Sequence, residues 1–595
     1  MASEHTSEVE ATVSGATGSA HEEVTSASEP PSPKARGRNR ARGQGARGRG
    51  RRATPNAQGH GRGRGRARGR GRRASNLTWL HPTQPNSPAE GEETSASEET
   101  ARIEAASSST RHWGPDAIPN RSIPGEQEGT SESDHGVPEQ GEDCTQGMPK
   151  SSGVFDYAIW LLTHVLHDAE RQRVSKSFTY MDLCAGMGTT IVVTEALRRG
   201  LAQHGLNSVG QCIGLTELNE AKRNALRRRL ACVIGRAPTP SIYIDNASLS
   251  LTPVLDEHSN VVDRPIADFL FLSIVCVDIS RMTSTPKSLT DTDGSSGKSW
   301  CDCLAYLDEL DFQQRPKAII LECVDNLSNM RDVGGRKERG TLIVKDALRE
   351  RGYVGQWAKI SATRFFLPQR RPRVWGLFLK MLGGVGPKAI ERREQDLHKA
   401  FNLLRRCDLP AHESLQRVID RVPPKAVIPP ETPRGQKRPQ KMTERHQKFI
   451  TDNSLTQDFI QEGQQSFLDA TKGMMQAREQ AAAWLNVCKW RRRNPTLNWQ
   501  SEVLVLDCGS SVGWMSVARG LFPCVTPSKK YLLLIHGQPR VADGSLCLAV
   551  QGIGPWEADA FNLNAEAEVL QRDLAGNAFS ANVCFAFLVA ALAVV

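Results

Sequence analysis

Large apolar residues are nearly absent from the first 150 positions and then arrive in two alternating rhythms. From Phe155, the run FDYAIWLLTHVLHDAERQR spaces them three and four apart, which predicts an amphipathic helix. SFTYMDLCAGMG, residues 177–188, reads as an apolar strand entering a glycine turn, and TTIVVTEALRRGLAQHG continues it as a helix. SVGQCIGLTELNEAKRNALRRRL repeats the order as strand, acidic tip and helix. ADFLFLSIVCV and KAIILECV are further strands whose unbroken apolar character predicts burial. TLIVKDALRERG is helical in pattern, and VWGLFLK follows as a strand. Strands alternating with helices predict a parallel, doubly wound α/β sheet, with ligands at the carboxyl ends of its strands.

Composition divides the chain around that sheet. Residues 1–150 are mostly Ser, Glu, Gly, Pro and Arg, too poor in apolar side chains to offset the entropy of folding, so a disordered tail is expected. Lys34–Arg73 carries fifteen Arg, one Lys and no acid, much of it in Arg-Gly repeats such as GRGRGRARGRGRR. Residues 74–150 reverse the sign, with fourteen acids against four bases, and the whole chain carries +10. Guanidinium forks on a flexible backbone match phosphate, so the tail predicts a nucleic-acid partner bound by charge, DNA or RNA, with steep salt dependence. The strand–helix series occupies residues 151–383. Residues 384–500 are charged, helix-prone and broken by the proline clusters of VPPKAVIPPETPRGQKRPQK, and residues 501–595 return to strands (EVLVLDC, KYLLLIH) and a closing apolar helix from Ala581. Fourteen Cys fall into no metal-binding spacing, as expected of reduced thiols in a cytosolic or nuclear protein without zinc. No secretory leader is visible, and the apolar run Val583–Val595 is too short to span a bilayer comfortably, so no membrane association is expected.

Chemistry enters at the strand ends. Gly186 and Gly188 stand between a strand and a helix, where missing side chains let a ligand approach the backbone. Glu217 ends the next strand, placed to accept hydrogen bonds from ribose hydroxyls, and Asp245 follows SIYI, within reach of an adenine amine. That set predicts a nucleoside-containing cofactor. Cys276 ends a buried strand in FLSIVCVDIS, Glu322 ends another in ILECVDNL, and Gln369, Arg371 and Arg373 precede a third in LPQRRPRVW. The fragments DLCAGMG, LTEL, IVCVDIS with SGKS following, LECV, QRRPR, PCVTPSKKYLL, LAVQGIG and GNAFSANV stand in the order of the cytosine-C5 methyltransferase motifs, and the chain resembles that family over about residues 178–382 and 503–595.

The resemblance implies a Rossmann-like methyltransferase sheet with an inserted target-recognition region at 384–500, and S-adenosylmethionine as methyl donor. Cys276 would attack C6 of a cytosine flipped out of the duplex, because a thiolate is nucleophilic and can leave again. Glu322 would act as general acid at N3, and Arg373, with Arg371, would hydrogen-bond the base carbonyl. Asp182, Cys184, Gly186, Gly188, Glu217, Asp245 and Asn577 would hold the donor. Gln369 and the CKWRRRN arginines Arg491, Arg492 and Arg493 would contact nucleic acid, with RGQKRPQK (Arg434–Lys441) a further phosphate-binding segment. The implied setting is nuclear DNA methylation. Val275 stands where the family has Pro before the nucleophile, Cys323 where it has an Asn that braces the loop, Cys184 where it has an aromatic, and Gly544-Ser545 where it has an acid. A catalytically silent DNA- or chromatin-binding homologue and a transfer-RNA cytosine methyltransferase remain alternatives, although the Cys-Phe-Thr signature of the RNA-directed branch is missing.

Overall fold

A computed structural model describes residues 147–233, 239–281, 283, 285–382, 386–409, 412–425, 439–527 and 529–595. The Arg-Gly tail and most of RGQKRPQK lie outside the described residues.

Seven strands form the main sheet: β1 (Phe178–Leu183), β2 (Gly210–Thr216), β3 (Ser241–Tyr243), β4 (Phe269–Ser273), β5 (Ala318–Val324), β6 (Tyr353–Ser361) and β7 (Pro372–Lys380), in the spatial order β6-β7-β5-β4-β1-β2-β3. Strands β1 to β5 run parallel, while β7 is antiparallel to both β5 and β6. Two consequences position the site. The strand order reverses between β1 and β4, which opens a crevice beyond their carboxyl ends. Because β7 runs the other way, its first residues share that edge with the last residues of β5, and Arg373 pairs with Val324 while Trp375 pairs with Glu322.

Alternation along the strands sends side chains into two apolar layers. Phe178, Tyr180, Phe269, Phe271, Trp375 and Leu377 face the layer that also contains α1 (Val154–Trp160) and α2 (Thr189–Ala202). Met181, Leu183, Leu270, Leu272, Ile319 and Leu321 face the other, with α4 (Ser295–Asp308) and α5 (Gly340–Glu350); α3 (Glu220–Val233) follows β2. The predicted closing helix is α12 (Ala581–Leu592), preceded by α11 (Glu568–Asn577). Every residue of α12 is buried, and its Phe587 stacks on Trp375 at 5.1 Å between centroids. No single helix among the described residues is long and apolar enough to cross a membrane.

The expected recognition region divides differently. Helix α6 (Pro387–Arg406) buries Leu397, Phe401 and Leu404 in the main core, and α7 (Leu415–Arg421) adds Val418 and Ile419, so both helices pack with the main sheet. A separate core gathers Phe449 of α8 (Pro439–Asp452), Trp484 and Val487 of α9 (Ala477–Arg493), and Trp499. It is closed by one face of a four-stranded sheet in the order β9-β8-β10-β11, comprising β8 (Val503–Asp507), β9 (Val517–Arg519), β10 (Tyr531–Ile535) and β11 (Gln538–Val541). Leu504, Leu506, Leu532 and Leu534 face this second lobe, whereas Val505, Tyr531 and Leu533 face the main core. The expected boundaries at 384 and 500 followed composition; among the described residues the second core draws on positions from Phe449 to Leu534, with Val541 packed against it.

Candidate active site

The turn after β1 is built from three left-handed residues, Cys184 (φ 61°), Gly186 (φ 55°) and Gly188 (φ 75°). Only glycine suits Gly188, since an added Cβ would lie 2.6 Å from Leu226 Cδ2. At Gly186 a Cβ would sit 3.3 Å from the carbonyl oxygen of Asn577, so the turn and the end of α11 face each other closely. The Gly186 N–H donates to Glu217 Oε2 at 2.9 Å, and Asn219 N donates to Oε1 at 2.8 Å. Glu217 is therefore fixed by backbone at the end of β2 with acceptor lone pairs to spare.

Asp182 is completely buried beneath the turn. Thr190 Oγ1 donates to its Oδ2 at 2.7 Å, while Oδ1 has no partner. Burial pushes this carboxyl up to about 7, with the Glu217 charge adding to the shift. A network absent from the sequence reading braces the neighbouring wall. Thr216 Oγ1 accepts from Cys184 N at 2.8 Å and donates to Asn246 Oδ1 at 2.6 Å, and Asn246 Nδ2 donates to Ser299 O at 3.3 Å. Asp245, next to Asn246, accepts from Ser248 N and Oγ through one oxygen. Asn577 donates to Asp573 O at 2.8 Å, which closes the end of α11. Asp182, Cys184, Gly186, Gly188, Glu217 and Asn577 are thus gathered in and around one turn, with Asp245 joined to it through Asn246.

Across the crevice lies the proposed chemistry. Cys276 sits in the loop after β4, whose Ile274 N–H donates to Glu322 O at 3.4 Å; the Cys276 carbonyl accepts from Ile279 N and Ser280 N, which turns the loop back on itself. Two ties anchor it: Ser296 and Asp278 exchange side-chain-to-backbone hydrogen bonds at 2.8 and 3.1 Å, and Asn326 Nδ2 donates to Ile279 O at 2.7 Å. An amide therefore does brace this loop, supplied by Asn326 rather than by position 323, where Cys323 is buried. Burial raises the Cys276 thiol, Glu322 raises it further, and Arg373 and Arg371 pull against both.

Glu322 is 6 % exposed, and Arg373 Nε lies 3.0 Å from its Oε1. The pair is ionic without hydrogen-bond alignment, so that oxygen keeps an unspent acceptor. Burial opposes the charge on Arg373, but Cys524 and then Glu322 outweigh it and raise its proton affinity. Cys524 escaped the sequence reading because a single Cys in PCVTPSKK carries no spacing signal.

Three expectations need correction. Arg371 does not reach toward a base: it is 4 % exposed and donates to Val525 O (2.7 Å), Ala578 O (2.9 Å) and Gly576 O (3.4 Å). It is a strut between loops. Gln369 is completely buried beside Phe522, since Phe522 N donates to Pro368 O and Arg370 N to Phe522 O, so it offers no surface to nucleic acid. Arg491 pairs with Glu462 at 2.8 Å and lies over the Phe459 ring, and Arg492 donates to Asn453 O and Ser454 O, because the last turn of α9 must fasten the helices before it. Arg493 is exposed.

The chain is similar to known proteins. The curated DNA (cytosine-5-)-methyltransferase DMT5 of Cryptococcus neoformans var. grubii is 22% identical over 460 residues, which is 74% of this chain and 18% of that protein. This chain thus spans about 18% of the length of that relative. Two solved structures are similar: the Schizosaccharomyces pombe Dnmt2 methyltransferase (11% identity, TM-score 0.34, 70% of this chain and 98% of that one) and a Spodoptera frugiperda DNMT2 variant (13%, 0.34, 70% and 99%). The profile of C-5 cytosine-specific DNA methylases matches residues 179–481. With that match over half its length, the chain belongs to the C-5 cytosine-specific DNA methylase family.

Proposed function

We propose that this protein is a DNA cytosine-C5 methyltransferase that takes its methyl group from S-adenosylmethionine. The observation that carries the reading is the meeting of groups from three strand ends: the Cys276 loop hydrogen-bonded to Glu322, and Arg373 Nε 3.0 Å from the Glu322 carboxylate. They stand across the crevice from a glycine turn that fits a nucleoside donor. Glu217 retains acceptor capacity for ribose hydroxyls, the turn lacks side chains where a ligand must approach, and the unpartnered Oδ1 of Asp182 lies beneath it. When bound, the donor supplies an electrophilic methyl.

The chain's own residues do the rest. Cys276 gives its proton to water and its sulfur bonds to C6 of the cytosine, which makes C5 nucleophilic; after methylation, water takes the C5 proton, and the electrons of that bond expel the thiolate and restore the ring. Glu322 serves N3, and Arg373 holds the base carbonyl, both at the edge where β7 meets β5. A stacked base cannot reach Cys276, so the target must swing out of the duplex, which costs a few kcal/mol that phosphate contacts offset. DNA as substrate, a nuclear setting and electrostatic binding by the Arg-Gly tail complete the proposal; the tail also suits RNA.

The test is methyl transfer from labelled donor to unmethylated DNA, hemimethylated DNA and transfer RNA, with Cys276→Ala alongside, and trapping of a covalent adduct on 5-fluorocytosine DNA. Transfer to DNA and an adduct that disappears in Cys276→Ala are expected. Transfer confined to RNA moves the substrate. Donor binding without transfer to any of the three leaves a silent homologue.

A further inference from the structure

A second sulfur stands beside the base-binding guanidinium. Arg373 Nη2 donates to Cys524 Sγ at 3.3 Å, and Arg371 Nη1 approaches the same sulfur at 3.7 Å. Cys524 belongs to the segment that joins the second lobe's sheet to the main core, and its backbone is fixed on several sides. Phe522 is stitched to the QRRPR loop, Val525 O receives Arg371, Tyr531 Oη donates to Cys524 O at 3.0 Å, and Thr526 N donates to Tyr531 Oη at 2.9 Å. The sulfur therefore sits at a fixed point relative to both arginines.

We propose that Cys524 is a positioning residue for the methyl transfer: its sulfur, as acceptor from Nη2, locks the rotation of the Arg373 guanidinium. Each nitrogen of that group has its own anchor, with Nε at Glu322 (3.0 Å), Nη1 at Pro372 O (2.8 Å) and Nη2 at Cys524. A guanidinium has five N–H donors, so these anchors leave one hydrogen on each terminal nitrogen for a carbonyl oxygen. Without the sulfur, Nη2 has no protein partner among the described residues and the fork can swing.

The same charges act on two thiols, and the thiols respond oppositely. Burial raises both, but at Cys524 the charges of Arg373 and Arg371 outweigh burial and the repulsion of Glu322, whereas at Cys276 they do not. The thiol whose proton affinity is lowered is the one that holds the arginine.

The inference rests on the proposed activity for its catalytic meaning, but the contact can be read without turnover. In the full chain, iodoacetamide alkylation at pH 7 is followed for each thiol by peptide mass spectrometry, in wild type and in Arg373→Gln. Faster labelling of Cys524 than of Cys276, slowed about tenfold by Arg373→Gln, is expected for a sulfur whose proton affinity that cation lowers. Equal rates, or no response to Arg373→Gln, overturn the proposal. Where methyl transfer is measurable, Cys524→Ala lowers kcat about tenfold or more at unchanged donor affinity, and Cys524→Ser, which keeps an acceptor, recovers most of it. Unchanged kcat in Cys524→Ala also overturns it. Wild-type inactivity with the labelling contrast intact refutes the proposed function and leaves the arginine–sulfur contact standing.

Discussion

Arg371→Met separates two accounts of the QRRPR motif. Family resemblance would have Arg371 share the base carbonyl with Arg373, but the structure gives it to three backbone carbonyls, Val525 O, Gly576 O and Ala578 O, in a site 4 % exposed. Methionine fills similar volume and donates nothing. The bonds to Val525 and Ala578 are short enough to be strong, and a hydrogen bond from a charged donor contributes about 1.5–3 kcal/mol. Removing the buried guanidinium also removes its desolvation cost, which returns part of that sum. A net loss of about 3 kcal/mol results, a large share of the roughly 5–15 kcal/mol by which domains are stable.

Urea unfolding of the full chain reads this directly. At a slope of about 3 kcal/mol per molar, the midpoint falls by about 1 M. Donor affinity should weaken in parallel, because two of the released carbonyls flank Asn577 at the cleft. A base-contacting arginine behaves otherwise: its loss abolishes turnover and leaves both midpoint and donor affinity alone. An unchanged urea midpoint with turnover lost would therefore refute the strut.

Two further perturbations follow from the same geometry. Asn326→Ala deletes the tie to Ile279 O, so adduct formation on 5-fluorocytosine DNA should slow about tenfold at equal donor affinity, and an unchanged rate would show that Ser296 and Asp278 suffice to hold the loop. Asp182 gives a pH signature: its folded value of about 7 lies above that of an ordinary carboxyl, so its contribution is fully present below about pH 4 and is lost as pH rises to about 7. Asp182→Asn cannot titrate, and its urea midpoint should fall less than wild type between pH 5 and 8; parallel curves would count against a buried proton there.

What could be read from sequence was what repeats or stands in fixed order. Strands buried on both faces announce themselves as apolar runs, and β1, β4, β5 and β7 were visible for that reason. Cys276, Glu322 and Arg373 stood out because each lies within a few residues of such a strand's end, in a known order of motifs. Long cationic side chains were not legible in the same way. The carbonyls that take Arg371 lie 154, 205 and 207 positions away, and no local pattern encodes them. Arg491 and Arg492 look like a phosphate-binding cluster by composition, yet the C-terminal turn of α9 spends them on neighbouring segments. Gln369 reads as polar and hence exposed, but the bridge to Phe522 buries it. The expected boundary at 384 followed charge, yet a charged helix can still bury one stripe, as α6 does with Leu397, Phe401 and Leu404.

The small sheet ties the two cores together. Successive residues of β8 and β10 point to opposite faces, so Leu532 and Leu534 belong to the second lobe and Tyr531 and Leu533 to the main core. A shift of the lobe large enough to move Leu532 must carry Tyr531 with it, since adjacent residues of a paired strand share one backbone. Tyr531 Oη holds Cys524 O and Thr526 N, and Cys524 in turn holds Arg373. The distance between a surface on that lobe and the reacting sulfur is thus set by hydrogen bonds rather than by a flexible linker. Substitutions that loosen the Trp484–Trp499 contact, 6.0 Å between centroids in the lobe's core, act on the guanidinium through this chain of contacts.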